Sequence, residues 1–340
     1  MPTIRMAAAG LLAALLAAAP ALGAEPRGAW DRADPVASGL AAEVIQQCAH
    51  YVAAVKPTAL VIVRDGRILA AWGDPAKEVD AASVRKSLLG ALVGIAVADG
   101  RIRLDATLGE LGIDDKAPRL TEVEKRATVG DLLKARSGVY HRAAHETADM
   151  RSGRPERGSH PPGAVWFYNN WDFNALGSIY RWATGEDIFE AFDQKIARPI
   201  GMEDFSPTDG RYDLESSSDH PAYPFRLSAR DLARFGVLFL NGGQWRGRQI
   251  VPAAWIAEST RPHSSTDRGR LGYGYLWWTL RPEIFGEGAA MASGYGGQKL
   301  AIIPAKRLVV VQTVARRADS AGIGTAGFVE LLAKIAAAAK

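Results

Sequence analysis

The stretch Ser83-Val84-Arg85-Lys86 opens an apolar run, Ser87-Leu88-Leu89-Gly90-Ala91-Leu92-Val93-Gly94-Ile95-Ala96-Val97, and this run limits the possible folds more than any other. Its pattern predicts a helix that enters an apolar interior. Residues three apart stand one turn above each other on a helix, so Ser83 and Lys86 share a face at its start. A lysine amine in such surroundings is costly to ionise without a partner. With its proton affinity lowered, it can take the proton of a serine hydroxyl, which is what an acyl-transfer nucleophile needs. A Ser-x-x-Lys tetrad also arises by chance, so its meaning rests on companions.

On either side of this helix the chain changes character. Residues 38–54 have the spacing of an amphipathic helix, with Pro57 at its exit. Ala59–Val63 reads as a buried strand, Asp65-Gly66 as a hairpin turn, and Ile68–Trp72 as the returning strand. Beyond Ser83 the signals are helical or irregular: short helices at 128–136 and 252–259, longer ones at 171–184, 187–198 and 228–240, and a polar excursion over 141–164. Alternation returns in the aromatic segment Tyr273–Trp278 and in Lys299–Ile303 and Leu308–Val314, before a last helix through Lys334. The economical arrangement is a mixed α/β (α+β) fold: an antiparallel sheet flanked by N- and C-terminal helices, with a mostly helical region inserted. The expected boundaries are 25–80 with 265–340 for the sheet domain and 81–264 for the helical domain.

Residues 1–24 are set apart. Arg5 precedes an apolar stretch over 7–19, and small residues follow through Ala24, the order of a secretory signal peptide. The apolar part is shorter than the roughly 20 residues of a spanning helix, so no stable membrane span is expected. The mature protein is expected in the bacterial periplasm or secreted. A formal charge of +4, scattered along the chain, gives no nucleic-acid footprint. The single cysteine, Cys48, excludes an intramolecular disulfide and reads as core packing. His141 and His145 could share a helix face, but no metal-ligand motif surrounds them, and neither metal nor organic cofactor is expected.

Two further groups carry chemistry. In Tyr168-Asn169-Asn170 a tyrosine near an ammonium is drawn towards phenolate and could serve as base and acid, while the Asn170 amide can bind Lys86 and a substrate carbonyl. The alternative is an aromatic core cluster. In Ala292-Ser293-Gly294-Tyr295-Gly296-Gly297-Gln298, the glycines let a substrate approach a strand closely, and a backbone N–H there could join that of Ser83 in an oxyanion hole. The alternative is a plain turn or bulge.

Taken in order, the three groups resemble the serine β-lactamase-like, penicillin-binding-protein-like hydrolases. Within them the chain is similar to the class C-type branch of esterases, D-aminopeptidases or carboxypeptidases, and 6-aminohexanoate-dimer hydrolases. Ser83–Lys86 matches that family's Ser-x-x-Lys and Tyr168–Asn170 its Tyr-x-Asn. Leu227–Ala233, Asn241–Trp245 and Gly272–Trp278 repeat phrases typical of these hydrolases. The third motif departs: Ala292-Ser293-Gly294 stands where the family has Lys or His, then Thr or Ser, then Gly.

The resemblance implies a serine hydrolase acting on a small ester or amide, or on a cell-wall peptide, through an acyl-enzyme. Ser83, Lys86 and Tyr168 would be catalytic, and Ser83 and Tyr295 would form the oxyanion hole. Asn170, Tyr140, Ser293, Gly294, Gly296 and Trp171 would contact substrate, with Trp166, Trp278 and the 141–164 excursion as further walls. The alternatives are a peptidoglycan D,D-carboxypeptidase or D-amino-acid peptidase, a weak β-lactamase, and an inactive cell-wall- or protein-binding relative.

Overall fold

The structure is a computed structural model that describes residues 30–316 and 324–339. The segment expected to direct export lies outside the described residues. The first helix, α1 (Ala42–Val55), ends at Lys56 in the left-handed region. The hairpin follows as β1 (Ala59–Arg64) and β2 (Arg67–Gly73). Asp65 and Gly66 both take positive φ, 48° and 76°, which a two-residue turn of this hand requires. A two-residue strand, β3 (Val79–Asp80), leads into α2 (Arg85–Ala98), the apolar helix anticipated from the sequence. Leu88, Leu89, Leu92 and Val93 are fully buried in it.

The middle of the chain contributes α3 (Val129–Leu133), α4 (Ala148–Ser152), α5 (Asn170–Thr184) and α6 (Ile188–Phe192). Thr128 and Asp131 close α3 with reciprocal capping bonds. The helix expected over 187–198 instead breaks after Phe192 into a π-helical turn, Asp193–Ala197. The 141–164 excursion is not simply surface: it carries α4, and Ala143, Ala144 and Met150 are buried. Next come β4 (Arg226–Leu227), which pairs with β3, and α7 (Ala229–Leu240), capped by Ser228. The two-residue strands β5 (Gln244–Trp245) and β6 (Arg248–Gln249) form a small hairpin before α8 (Ala253–Ser259).

The aromatic segment at 273–278 is the clearest correction. It is not one strand but β8 (Gly272–Tyr273) and β9 (Trp278–Thr279), joined through Leu276 at φ 62°. With β7 (Ser264–Ser265), β10 (Ala290–Gly294), β11 (Gln298–Ile303) and β12 (Leu308–Thr313), they complete the main sheet. The short α9 (Pro282–Phe285) lies between β9 and β10, and α10 (Thr325–Ala338) ends the described chain. The strand order is β2-β1-β12-β11-β10-β9-β8-β7, with each neighbouring pair antiparallel.

The central strands are buried along their length because helices cover both faces. On one face Gly236 of α7 meets Val309 and Leu300, and any side chain there would overlap Val309. Gln312, of opposite parity on β12, accepts a hydrogen bond from the Tyr51 hydroxyl of α1 on the other face (2.7 Å). Cys48 sits buried in α1, and burial pushes its thiol up to about 11, an inert packing group as the sequence suggested.

Gly94 fixes how α2 lies against α8. A Cβ at this position would stand 2.3 Å from the Trp255 indole, a rigid ring that has little room to move. Gly94→Ala is therefore expected to destabilise the fold by about 1–3 kcal/mol through overpacking, read as a lower urea midpoint at unchanged m-value.

Candidate active site

Ser83 lies on a single tight turn, Ala82–Val84, that runs directly into α2. The residue before it, Ala82, has φ 46°, a left-handed conformation that costs an L-residue on the order of 1 kcal/mol. Neighbouring bonds hold it there. The Ala81 N–H donates to Phe225 O (2.9 Å) and the Ala82 N–H to Asp80 Oδ1 (2.7 Å), while β3 and β4 pair alongside. Lys86, one turn on, places Nζ 2.9 Å from Ser83 Oγ and 2.8 Å from the Tyr168 hydroxyl, donating to both.

Lys86 is buried. Its ammonium form gains from the rings of Tyr168 and Phe173, whose centroids lie 4.2 and 4.5 Å away, an attraction worth about 0.5–2 kcal/mol. Desolvation outweighs that gain. Burial, with the positive charges of Arg85 and Arg268 added to it, holds the Lys86 amine well below the usual lysine range. Tyr168 moves the other way: burial pushes its hydroxyl up to about 12, against smaller lowering effects from its hydrogen bond with Ser83 and from Arg85 and Arg268. Both directions favour the uncharged forms, the amine for Lys86 and the phenol rather than the phenolate for Tyr168.

Tyr168 is held from below. Asn169 caps α5 by accepting from the Trp171 N–H (3.0 Å), and its amide donates to Val139 O (2.5 Å). Asp172, buried beneath, accepts from Ser137 Oγ (2.5 Å), and burial raises its carboxyl well above the usual range. The Tyr168 ring stacks on Trp278, with centroids 5.3 Å apart, and packs against Phe173 at 4.9 Å. Asn170 does not bond Lys86 as expected. Its Nδ2 donates to the carbonyls of His145 (2.7 Å) and Ala144 (3.2 Å), fixing the 141–164 segment, and its buried Oδ1 has no hydrogen-bond partner among the described residues.

Two expected substrate contacts belong to the core instead. Trp171 is fully buried and donates Nε1–H to Asp115 Oδ2 (2.6 Å). Tyr140 is buried against Phe167, with its hydroxyl 3.1 Å from His160 Nδ1, and neither residue lines the cavity described below. Both follow an apolar or aromatic pattern that fits packing as well as binding, so the sequence could not separate the two. Trp166 packs on Tyr273, Trp278 and Tyr168 behind the cavity wall, whereas Trp278 reaches it.

The third group closes the site from the sheet. A Cβ on Gly294 would lie 2.8 Å from Ala81 O and 3.0 Å from Ala82 Cβ, so glycine is what lets β10 press against the turn that carries Ser83. β9 pairs with Ala290 and Met291, and among the described residues Ala292–Gly294 have no strand partner on that side. Opposite Ser293 in the register stands Lys299 of β11, whose Nζ donates to Ser293 Oγ (2.7 Å). Lys299 is almost completely buried, and burial lowers its amine to about 8. Thus the stretch that lacks a lysine at Ala292 receives one from its neighbour strand. The three-residue turn Tyr295–Gly297 sets that register, and counting across it is the signal by which the sequence could have revealed Lys299.

A cavity of about 1280 Å³ joins these groups. Ser83, Tyr168, Asn170, Ser293, Gly294, Tyr295, Gly296 and Lys299 line it, and His145–Met150 form part of its wall. The pair His141 and His145 lies in irregular chain rather than on one helix, His145 with its Nε2 2.9 Å from Asp213. Among the described residues, no group of three or more histidine, cysteine or acidic side chains is placed to hold a metal ion.

The beta-lactamase family model matches residues 44–332, most of the chain. The chain belongs to the beta-lactamase family. It is a hydrolase of that family, with the family's serine-hydrolase type of fold. An uncharacterized protein of Alkalihalophilus pseudofirmus is 25% identical over 256 residues, covering 68% of this chain and 71% of that one. Among solved structures, the fold is similar to a candidate 6-aminohexanoate-dimer hydrolase from Bacillus anthracis (TM-score 0.66, 20% identity, 91% of this chain and 86% of that one). It is also similar to a penicillin-binding protein homolog from Caulobacter crescentus (TM-score 0.64, 18% identity, 91% and 98%). A third is the octameric penicillin-binding protein homologue from Pyrococcus abyssi (TM-score 0.62, 19% identity, 85% and 77%).

Trp171→Phe tests the reassignment of that residue. It strands the buried Asp115 carboxylate without one donor and should cost about 1–3 kcal/mol in chemical denaturation, while KM for a small ester stays within about twofold. Lys299 makes a pH prediction. Its folded value is depressed to about 8 from 10.5, so between these the unfolded chain binds more protons and stability rises with pH. Lys299→Met should flatten that rise in denaturation midpoints measured from pH 8 to 10.5.

Proposed function

We propose that the chain cleaves a carboxylic ester or amide through an acyl-enzyme formed on Ser83. The observation that carries this reading is the Lys86 amine, sealed from water and within hydrogen-bond reach of both Ser83 Oγ and the Tyr168 hydroxyl. As a free amine, Lys86 accepts the Ser83 proton while Oγ attacks the carbonyl carbon. The N–H groups of Ser83 and Tyr295 receive the developing oxyanion. Tyr168, kept as a phenol, gives its proton to the departing alcohol or amine and recovers one from the Lys86 ammonium, which restores the free amine. Water then follows the same relay in reverse to release the acyl group and regenerate Ser83. Lys86 and Tyr168 pass that proton between them, so their titrations are coupled.

The unpaired side of β10 at Ala292–Gly294 suits an extended, peptide-like substrate backbone laid alongside it. The cavity exceeds the size typical for a small drug-like ligand, about 300–1,000 Å³. Trp278 and Ile284 add apolar wall for an acyl or linker portion. Lys299 supports a second reading, an amide that carries a carboxylate, as a D-amino-acid peptide or a β-lactam does. Its ammonium predominates below about pH 8 and would weaken as a carboxylate partner above it. The reading extends to location: a leader over residues 1–24 would export the enzyme to where such peptides occur, and fractionation of the expressing cell tests it.

Intact-mass analysis after exposure to a fluorophosphonate should give one adduct on the wild-type chain and none on Ser83→Ala. Lys86→Met and Tyr168→Phe should each lower kcat by about 100-fold or more. The kcat/KM for p-nitrophenyl esters should rise with pH as Lys86 loses its proton, with no alkaline fall from Tyr168 below about 12. Lys299→Met should raise KM only for substrates that carry a carboxylate, a D-alanyl peptide or nitrocefin among them. No adduct and no turnover in a folded protein would sink the nucleophile and leave the cell-wall- or protein-binding relative.

A further inference from the structure

His145 and Asp213 have no part in the chemistry proposed above, yet His145 is held in a conformation that costs free energy. Its φ is 62°, the left-handed region, where a residue with a side chain is strained by on the order of 1 kcal/mol. Such a conformation persists only where neighbouring contacts impose it. Three do so here. The His145 N–H donates to Glu215 Oε1 (2.9 Å), its carbonyl accepts from Asn170 Nδ2 (2.7 Å), and its Nε2 lies 2.9 Å from Asp213 Oδ2. Both backbone groups and the ring are thus committed to residues far away in the sequence.

Asp213 is the hub of this arrangement. Its two carboxylate oxygens are divided: Oδ2 faces His145, and Oδ1 accepts from Arg211 Nε (3.0 Å). His145 and Arg211 both line the cavity, whereas Asp213 and Glu215, which hold them, do not. Asp213 is itself fixed by a reciprocal backbone pair with Ala222, its N–H donating at 2.8 Å and its carbonyl accepting at 3.0 Å. From His145 the wall runs on through Glu146, paired with Arg154, and Thr147, whose Oγ1 caps α4 by accepting from the Met150 N–H (3.3 Å). One residue earlier, Ala144 O accepts from both Asn170 Nδ2 (3.2 Å) and Asn174 Nδ2 (3.3 Å), one turn apart on α5. The wall is therefore tied to α5 on one side and to Asp213 and Glu215 on the other. The attachment to α5 decides what it faces. Asn170 stands two residues beyond Tyr168, so the wall bounds the part of the cavity next to the hydroxyl that gives its proton to the departing group.

We propose that Asp213, acting through His145, is a positioning residue that sets the wall against which the leaving alcohol or amine rests. The enzyme then selects substrates by the size of that group rather than by their acyl portion. This rests on the reading of Ser83 as nucleophile and Tyr168 as acid, and it names the half of the substrate that the wall screens. The class that fits is an ester or amide whose leaving group is bulky enough to reach the surface formed by His145–Met150. A small leaving group never touches that surface and gains nothing from it.

Two substrate series test this on the full chain: acetate esters of ethanol, benzyl alcohol and naphthylmethyl alcohol, and p-nitrophenyl esters of increasing acyl length. Asp213→Ala removes the hub. In it, KM for the two aromatic alcohols should rise at least about threefold while kcat stays within about twofold, the signature of lost binding shared by ground and transition states. KM for the ethyl ester and the dependence of KM on acyl length should stay as in the wild type. His145→Gly removes the ring anchor yet accepts the left-handed φ without strain, so it reads the same attachment should Asp213→Ala fail to fold. It should give the same rise for the aromatic alcohols, and the double variant should be no worse than Asp213→Ala alone, because both act on one attachment. A fall in kcat for every ester, or a rise as large for the ethyl as for the benzyl ester, would mean that Asp213 only holds structure and would overturn the proposal. So would an altered dependence on acyl length, or KM unmoved throughout. Fluorophosphonate labelling of Ser83 runs alongside. No adduct on the wild-type chain would overturn the nucleophile, whereas an adduct in every variant with KM unmoved overturns the wall alone.

Discussion

The withdrawal of one lysine from water organises this molecule. Lys86 stands at the start of a helix whose remaining residues are almost all buried, and the helix can be buried only because a complete sheet-and-helix body surrounds it. Among the described residues, no carboxylate pairs with the amine. The surrounding groups are a serine, a phenol, two aromatic faces and cations, so the charge-free form is the one the fold favours. An ion pair at this position would have been easier to accommodate and chemically useless, because a salt-bridged ammonium cannot accept a proton.

The other parts of the site follow from keeping that amine dry and aimed. Tyr168 closes it from one side, and its own ring is clamped by Trp278 and Phe173. Asn169 and Asp172 fix the chain that carries Tyr168, so a hydroxyl within 2.8 Å of Lys86 is supported by a buried network rather than by a mobile loop. Gly294 closes the other side, where the strand and the left-handed Ala82 come into contact that only a missing side chain permits. The strain at Ala82 and the glycine at 294 answer the same requirement, a serine held at the meeting point of helix and sheet.

Much of the site was legible in the sequence because its residues sit at fixed spacings on regular elements. Ser83 and Lys86 are three apart on a helix, and the β1–β2 hairpin announces its turn with Asp65-Gly66. What stayed hidden depended on contacts between distant segments. Trp171 and Tyr140 carry the same aromatic signature whether they face a ligand or a core, and only the partners Asp115 and His160 decide it. Lys299 lay one strand away from the motif that lacked a lysine. The aromatic run at 273–278 has strong strand propensity, but Leu276 turns back at positive φ because the chain must meet Ser87 Oγ and Leu133 O, a tertiary demand that local preference does not encode. The Asn170 amide, which the motif places within reach of Lys86, instead anchors backbone at His145, a distinction that spacing alone does not carry.

The sheet has a consequence for the life of the chain as it is made. β1 lies between β2 and β12, with Ala59 opposite Thr313, so one of the earliest strands to emerge waits for nearly the last to find its neighbour. The strand that presses on the Ser83 turn also arrives late, after all the helices from α2 to α9. Non-local closure of this kind is slow and comes near the end of folding. A partly synthesised or unfolded chain therefore carries the serine and the lysine but no floor beneath them, and the proposed active site is assembled only once β10 and β12 are in place.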